Sequence, residues 1–210
     1  MSKLQDVENA VVSGKSKLVA GLVQEALDEG CSAPDILNGM INAMGIVGER
    51  FKKNEIFVPE MLVAARAMKK GVDVLKPHLA SGSAGVCGKA IIGTVAGDLH
   101  DIGKNLVAMM IESAGFEVID LGVDVPVEKF IETVKANPDV KIVGCSALLT
   151  TTMPALKSTV EALNAEDFRS HIKVMVGGAP ITQKFADEIG ADAYTPDAAS
   201  AAQKAKELVA

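Results

Sequence analysis

The sequence has few aromatic residues, no tryptophan and no long apolar run, and each shortage excludes a class of protein. Aromatic residues make up 3% of the 210 positions and the net charge is -6, so the stacking rings and basic stripes of nucleic-acid-binding proteins are missing. No apolar run approaches the roughly 20 residues that span a bilayer. We therefore expect a soluble protein that has neither nucleic acid nor a membrane as a partner.

Cysteine is also scarce, because only Cys31, Cys87 and Cys145 are present and they lie far apart. An odd number of distant cysteines fits neither a disulfide framework nor a thiolate metal site. The chain starts with a charged amphipathic pattern and lacks the apolar core of a signal peptide. Both observations lead us to expect a cytoplasmic protein with reduced cysteines.

The first hydrophobic pattern that the sequence does contain is helical. Apolar residues between positions 4 and 79 recur at three- and four-residue spacing, with breaks near Gly14, Pro34 and Pro59. Four amphipathic helices bury their apolar stripes most simply in a bundle. The next residues are mostly small, as in a linker. We predict a four-helix cap domain over residues 1–80 and a linker over residues 81–88.

From residue 89 onward, short β-rich runs alternate with helical segments, which is typical of a parallel sheet with helices on both faces. We predict strands at 89–95, 117–120, 141–145, 173–176 and 191–194, and helices at 101–114, 126–136, 151–163, 181–189 and 197–208. Residues 89–210 would form an α/β domain with a doubly wound, Rossmann-like (flavodoxin-like), five-stranded parallel sheet. Ligands of such sheets bind at the carboxyl ends of the strands, so the loop after the first strand is the place to look for a site.

That loop contains a carboxylate two residues before an imidazole, in Asp98-Leu99-His100, and then Gly103. In an extended Asp-x-His both side chains lie on one side of the backbone, so Asp98 can bind one ring nitrogen while the other points outward. A carboxylate behind a metal-binding histidine orients the ring and raises its basicity. Gly103 would let a bulky ligand approach the backbone.

Three alternatives compete with this interpretation of the loop. In the first, Asp98 only caps the following helix and His100 is merely exposed. In the second, a zinc ion binds Asp98, His100 and Asp101, but no cysteine supports such a site and the other histidines, His78 and His171, lie in different segments. In the third, the loop binds a dinucleotide, but its glycines lack the Gly-x-Gly-x-x-Gly spacing.

Three separated elements together resemble the cobalamin-binding fingerprint: Asp98-x-His100-x-x-Gly103, Ser146-x-Leu148 and Gly177-Gly178. The gaps between them, 42 and 28 residues, agree with the resemblance as well. The chain resembles the methyltransferase corrinoid proteins. It is similar to the cobalamin-binding region of cobalamin-dependent methionine synthase and to the small carriers of methylamine, methanol and betaine demethylation. The resemblance covers essentially the whole chain, including cap residues 48–61.

The resemblance implies which residues bind the cofactor, cobalamin or a related corrinoid. His100 would replace the benzimidazole of the cofactor as the lower ligand of cobalt, and Asp98 would hydrogen-bond His100. The displaced nucleotide tail would pass Gly103, with the Ser-x-Leu segment on one side and the two glycines making room on the other. Thr152 stands where methionine synthase relatives have a serine that completes a relay with the His-Asp pair. The other implied cofactor-binding residues are Asp101, Ile102, Ser146, Leu148, Thr150, Gly177 and Gly178, with Phe51 and Val58 of the cap over the upper corrin face.

The resemblance also implies a function in one-carbon metabolism. Such proteins carry a methyl group on cobalt, which cycles between Co(I) and methyl-Co(III), so the methylcobalamin form is expected. The methyl group passes from a donor-specific methyltransferase to an acceptor methyltransferase that uses tetrahydrofolate or coenzyme M, and a reductive activase is a third partner. The chain itself would be the non-catalytic corrinoid subunit of this system.

Two functions of other classes compete with that of a methyl carrier. A corrinoid-sensing regulator would need a DNA-binding segment, and the sequence has no basic helix-turn-helix. A subunit of an adenosylcobalamin-dependent mutase would share the fingerprint of the α/β domain but would normally lack a four-helix cap.

Overall fold

The computed structural model describes residues 3–79 and 87–210. The chain divides into two compact units, one built mainly from residues before 80 and the other mainly from residue 87 onward. The predicted linker, 81–88, lies outside the described residues except at its end, where Gly88 is already the first residue of a strand. The predicted limits of the two domains stay predictions.

The first unit contains the four predicted helices. These are α1 (Lys3–Val12), α2 (Ser16–Asp28), α3 (Ala33–Lys52) and α4 (Val58–Leu75), followed by one 3-10 turn at Lys76–His78. Helix α1 packs on α2 and α3, and α4 packs on α2 and α3. Their apolar stripes meet in a core of fully buried side chains that includes Val7, Val23, Ile36, Met40, Met61 and Met68.

Local chemistry explains where these helices begin and end. Gly14 has a φ of +64° and lies so close to α4 that a Cβ there would fall 2.5 Å from Cγ1 of Val63, so the turn between α1 and α2 needs glycine. The hydroxyl of Ser32 accepts a hydrogen bond from the backbone N–H of Asp35 at 3.2 Å and caps α3. Pro34 then occupies the first turn of α3, where the missing N–H costs nothing.

The second unit confirms the predicted α/β fold. Its sheet has five parallel strands in the order β2-β1-β3-β4-β5, namely β1 (Gly88–Thr94), β2 (Phe116–Asp120), β3 (Val140–Ser146), β4 (Lys173–Gly177) and β5 (Ala193–Tyr194). The helices are α5 (Ile102–Ser113), α6 (Val127–Ala136), α7 (Met153–Asn164), α8 (Gln183–Ile189) and α9 (Ala198–Val209). The inner strands are almost continuously apolar because both faces of a parallel sheet are covered.

Several predicted limits are wrong by two residues, for local reasons. Helix α7 begins at Met153 instead of residue 151, since Pro154 fixes its first turn and Thr150–Thr152 form a separate 3-10 turn. Helix α8 begins at Gln183 because the hydroxyl of Thr182 caps it by accepting from the Phe185 N–H. Within residues 3–79 and 87–210, no helix combines the length and the hydropathy that crossing a bilayer requires.

The strand order creates a topological switch point at the carboxyl edge of the sheet, between β1 and β3. The chain turns to β2 on one side of β1 and later to β3 on the other side. The loops that leave β1 and β3 therefore separate, and a crevice at such a switch point is where open α/β sheets bind ligands.

Candidate functional site

Backbone hydrogen bonds alone hold the starts of the loops after β1 and β3 in place at the edge of the sheet. The N–H of Val95 donates to the carbonyl of Ser146 at 3.0 Å, and the N–H of Ala147 donates to the carbonyl of Gly177 at 3.1 Å. The hydroxyl of Thr94 donates to the carbonyl of His100 at 2.9 Å, which folds the first loop back over the end of its own strand. The two loops thus start from one rigid edge.

Asp98 joins the two loops through four hydrogen bonds. Its side chain is fully buried. One oxygen, Oδ1, accepts from Nδ1 of His100 at 2.7 Å and from the backbone N–H of His100 at 3.1 Å. The other, Oδ2, accepts from the backbone N–H of Leu148 at 2.7 Å and from the hydroxyl of Thr152 at 2.8 Å. Both oxygens are fully used, so the orientation of the carboxylate is fixed.

These contacts keep the Asp98 carboxylate ionised although it is buried. Burial by itself raises the pKa of Asp98, but the hydrogen bonds outweigh it, led by that from the Leu148 N–H and followed by those from His100 and Thr152. The net effect holds the pKa of Asp98 well below its ordinary value of 3.8. The site therefore contains a fixed negative charge behind the imidazole.

The ionised carboxylate determines how His100 is presented. A carboxylate only accepts hydrogen bonds, so Nδ1 of His100 must carry the hydrogen, and in the neutral ring Nε2 then presents its lone pair. The His100 side chain is 51% exposed, whereas the Asp98 side chain behind it is 0% exposed. Asp98 bonds no amide of α5, which begins at Ile102, so the alternative in which it only caps that helix is wrong. What remains is an oriented imidazole with Nε2 available to a ligand.

Four large apolar side chains on these two loops are exposed. Leu99 is 72% and Ile102 is 78% exposed, and Leu148 and Leu149 on the second loop are each 40% exposed. A Cβ added at Gly103 would meet nothing within 4 Å, so space is open beside the first turn of α5. Exposed apolar groups around a few fixed polar atoms are typical of a binding site for a broad, largely apolar ligand.

The donor set determines what kind of metal could bind. In the described part of the chain, no three His, Cys, Asp or Glu side chains are grouped so that they could hold a metal ion. Structural zinc needs four such ligands, and catalytic zinc needs three. A single imidazole instead fits a metal whose other ligands arrive with a macrocycle. The residues present therefore fit the cobalt of a corrinoid.

The backbone around the paired glycines at the end of β4 is closely packed. We expected both to make room for the nucleotide tail. Gly178 has a φ of +136°, and a Cβ there would fall 1.8 Å from the carbonyl oxygen of Ala147. A Cβ at Gly177 would lie 3.4 Å from the carbonyl oxygen of Thr195. The close approach of two backbones thus requires glycine at position 178, whatever this residue does for a ligand.

Comparisons with known proteins show the family of this chain. Two family models, each described as a B12 binding domain, match residues 88–204 and residues 4–76. The dimethylamine corrinoid protein of Methanosarcina barkeri is 46% identical over 209 residues, which are 99% of this chain and 97% of that protein. The chain belongs to the methyltransferase corrinoid proteins.

Solved structures extend the comparison to the whole fold of this corrinoid protein. A cobalamin-binding protein from Desulfitobacterium hafniense DCB-2 superimposes with a TM-score of 0.83 at 33% identity, over 99% of this chain and 98% of the other. A chain of the methanol:cobalamin methyltransferase complex from Methanosarcina barkeri gives a TM-score of 0.84 at 28% identity, over 99% of this chain and 79% of the other. Both cover the helical unit as well as the α/β unit.

The other sequence-predicted residues of the corrinoid protein are placed as follows. Ser146 ends β3 directly at the site, and Thr150 is exposed in the 3-10 turn that also contains Thr152. Asp101 precedes α5 and accepts from the side-chain amide of Asn105 at 3.1 Å. These positions put Ser146, Thr150 and Asp101 at the carboxyl edge of the sheet together with Asp98 and His100.

Phe51 and Val58 belong to the helical unit of the corrinoid protein. Phe51 is in α3 and is partly exposed, and Val58 is the first residue of α4 and is 36% exposed. Their place over the upper face of a corrin stays a prediction.

Three side chains at this edge were not singled out from the sequence. Lys104, in the first turn of α5, is only 2% exposed, and its Nζ donates to both oxygens of Asp120 at 2.6 Å. Asp124, in the loop after β2, accepts from the N–H of Gly97 at 2.7 Å. Asp120 and Asp124 follow or end a strand beside β1, so the carboxyl-edge rule that pointed to Asp98 would also have pointed to them.

Proposed function

We propose that this corrinoid protein carries a methyl group on the cobalt of its corrinoid from one methyltransferase to another. When bound, the corrinoid supplies the chemistry, since its cobalt accepts and releases the methyl group. The observation that carries the proposal is the Asp98 carboxylate, whose four hydrogen bonds leave Nε2 of His100 outward as a single oriented ligand.

His100 is proposed as the lower ligand of cobalt. Its Nδ1 hydrogen bond to Asp98, 2.7 Å long, selects the tautomer with a lone pair on Nε2 and orients the ring. A negative partner behind the ring makes Nε2 more basic, so ligation of an electron-poor metal is favoured.

Asp98 is proposed to balance charge whenever Nε2 is not bound to metal. The ring can then take up a proton at Nε2, and the buried carboxylate faces the resulting cation directly. Leu148 and Thr152 hold the carboxylate ionised through this change, because their hydrogen bonds to Oδ2 do not depend on the ring. The four residues thus form one unit that can hold or release a proton at a single atom.

The remaining contacts to the corrinoid are proposed from their positions around His100. Exposed Leu99, Ile102, Leu148 and Leu149 would cover apolar parts of the macrocycle. The open space beside Gly103 would admit the nucleotide tail. Ser146, Thr150, Asp101 and Gly177 would line its path along the carboxyl edge of the sheet.

We propose dimethylamine as the methyl donor and a dimethylamine methyltransferase as the donor partner. The support is the likeness to the dimethylamine corrinoid protein at 46% identity over 99% of this chain, compared with 28% for the chain of the methanol:cobalamin complex. That complex supports direct assembly with a methyltransferase. The acceptor partner is proposed to be a methyltransferase that uses coenzyme M or tetrahydrofolate, and a reductive activase would restore the reduced cobalt.

Methyl transfer with candidate partners tests this function. The corrinoid-loaded protein is mixed in turn with dimethylamine, monomethylamine and methanol methyltransferases and their substrates, while the visible spectrum of cobalt is followed. We expect methylation with the dimethylamine enzyme at least about tenfold faster than with the others, as for substrates distinguished by a dedicated site. Demethylation by a coenzyme M or a tetrahydrofolate enzyme then identifies the acceptor.

The same assay is applied to His100→Ala. Its matched control is His171→Ala, because His171 is an exposed histidine of a 3-10 turn before β4, away from the loops that hold His100. It should behave as wild type. Failure of the dimethylamine enzyme to methylate a loaded protein would contradict the proposed donor, and failure of all three enzymes would contradict methyl transfer from any of these donors. Purification of the protein with adenosylcobalamin would favour the mutase subunit instead.

A further inference from the structure

The loop between β2 and α6 is bonded along the end of β1, where the His100 loop begins. The N–H of Leu121 donates to the carbonyl of Ile92 at 2.8 Å, and the N–H of Thr94 donates to the carbonyl of Gly122 at 3.0 Å. The N–H of Val125 then donates back to the carbonyl of Thr94, also at 3.0 Å. The register of this loop against β1 is therefore fixed on both sides of Asp124.

The start of the same loop is anchored by an ion pair whose lysine is buried and whose aspartate is exposed. Asp120 binds Nζ of Lys104 with both oxygens at 2.6 Å, and its Oδ1 also accepts from the N–H of Gly122 at 2.9 Å. The Lys104 side chain is 2% exposed, and both oxygens of Asp120 accept from it. The end of β2 is thus tied to the first turn of α5, the helix that follows His100.

Asp124 makes two hydrogen bonds to the segment that carries Asp98. Its Oδ1 accepts from the N–H of Gly97 at 2.7 Å, and its own N–H donates to the carbonyl of Asp98 at 2.9 Å. One residue therefore binds the backbone immediately before Asp98 and the backbone carbonyl of Asp98 itself. A carboxylate acceptor makes the first of these bonds charge-assisted.

Asp124 adopts an unfavourable backbone conformation to make these bonds. Its φ is +52°, in the left-handed region, and Asn54 is the other described residue besides glycine with a positive φ. This conformation is unfavourable for most residues other than glycine, although aspartate tolerates it better than most. Where surrounding bonds enforce such a conformation, the residue is a candidate for a functional role.

We propose that Asp124 is a positioning residue for the Asp98–His100 pair. Asp98 must reach His100 with one oxygen and the second loop with the other, so small displacements of its backbone would break one set of bonds. Asp124 holds that backbone in place from outside the site and touches neither imidazole nitrogen. This role goes beyond the proposed function, because it concerns the geometry of the pair in the cofactor-free chain.

Three substitutions separate the parts of this role. Asp124→Asn keeps an acceptor for the Gly97 N–H and tolerates a positive φ. Asp124→Gly tolerates the φ but has no side-chain acceptor. Asp124→Ala lacks both. If the carboxylate oxygen positions Asp98, the asparagine variant should resemble wild type and the glycine variant should not, although the glycine backbone is unstrained.

The test is nuclear magnetic resonance of the full-length, cofactor-free protein labelled with ¹⁵N, at a single alkaline pH. In Asp124→Gly we expect hydrogen exchange of the Gly97 amide to accelerate about tenfold, as for loss of one protecting bond. The two ring nitrogens of His100 should also move toward each other in chemical shift, since the Nδ1–H tautomer is no longer selected. In Asp124→Asn, the exchange rate of the Gly97 amide and the chemical shifts of the His100 ring nitrogens should match those of wild type.

Two results would overturn the proposal. In one, the His100 ring nitrogens of Asp124→Gly superimpose on those of wild type, which would leave Asp124 as a loop residue only. In the other, Asp124→Asn fails to restore them although its spectrum shows a folded protein. Neither result depends on cobalt, so the proposal can fail while the carrier function stands, and the reverse.

Discussion

The two edges of the parallel sheet each contain a hydrogen-bonded cluster built around one aspartate. The clusters differ in whether one of their polar atoms is available to a ligand. At the amino edge, Oδ2 of Asp192 accepts from the Val174 N–H at 2.6 Å and from Arg169 at 2.8 Å. Arg169 also donates to the carbonyl of Ile172 at 3.0 Å and to the side chain of Asn164. Each of these hydrogen bonds joins one part of the protein to another.

At the carboxyl edge, the cluster consists of Asp98 and its hydrogen-bond partners. Nε2 of His100 makes none of these four bonds and faces away from Asp98. Asp98 is fully buried, whereas the side chain of Asp192 is 18% exposed. The more deeply buried carboxylate is thus the one connected to an exposed, oriented imidazole. A polar cluster whose bonds join segments of the protein indicates a structural role, and one that presents an oriented ring nitrogen to the outside indicates a binding role.

The largest expected effect comes from the different use of the two carboxylates. In Asp98→Asn, one side of the amide is an NH₂ group that must face a fixed backbone N–H, either that of Leu148 or that of His100. We expect a loss of about 2–4 kcal/mol in the stability of the α/β unit, since a buried donor loses its acceptor and charge-assisted bonds are lost. Hydrogen exchange of the backbone amides of β1 and β3 measures this loss of stability.

Asp192→Asn is the matched control. Only Oδ2 of Asp192 accepts hydrogen bonds among the described contacts, so the amide oxygen can take its place. We expect a loss of about 1 kcal/mol, mainly from the weakened pairing with Arg169. Equal losses in the two variants would show that the two clusters do not differ in the way we describe.

The difference between Asp98→Asn and wild type should also depend on pH. The folded-state pKa of Asp98 lies below the ordinary value of 3.8. Its contribution to stability is therefore complete above that value and decreases as the pH falls toward the folded-state pKa. The gap in stability between wild type and Asp98→Asn should narrow below about pH 4.

A smaller effect is expected at Thr152, whose hydroxyl donates to Oδ2 of Asp98 at 2.8 Å. Thr152→Val keeps the shape but removes the donor, so we expect a loss of about 1 kcal/mol at neutral pH. The pKa of Asp98 should rise toward its ordinary value, so acid unfolding should begin at a higher pH than in wild type. Thr152→Ser retains the hydroxyl and should follow wild type. Identical acid-unfolding curves for the valine variant and wild type would show that the Thr152 hydroxyl does not stabilise the ionised Asp98 carboxylate.

Local spacing was enough to predict the Asp98–His100 contact, because two residues apart in an extended segment share one side of the backbone. The alternation of apolar runs with helical segments was enough to predict all five strands. Thr152 was expected from the resemblance only as a hydroxyl of uncertain role, and the structure gives it a hydrogen bond to Asp98.

Other features depend on contacts between distant segments and leave no local pattern. A lysine in the first turn of a helix is normally exposed, so nothing marks Lys104 as buried against Asp120. The positive φ of Asp124 is imposed by bonds to the neighbouring loop. The need for glycine at position 178 comes from the backbone of Ala147, 31 positions earlier in the sequence.

The central claim is that His100 alone supplies the protein ligand of the corrinoid cobalt. Electron paramagnetic resonance of the Co(II) protein, prepared with ¹⁴N- or ¹⁵N-labelled histidine, tests it most directly. We predict that the nitrogen splitting changes from a triplet to a doublet when histidine is labelled, persists in His171→Ala and disappears in His100→Ala. A splitting that survives in His100→Ala, or that follows label in the benzimidazole of the cofactor, would contradict the account.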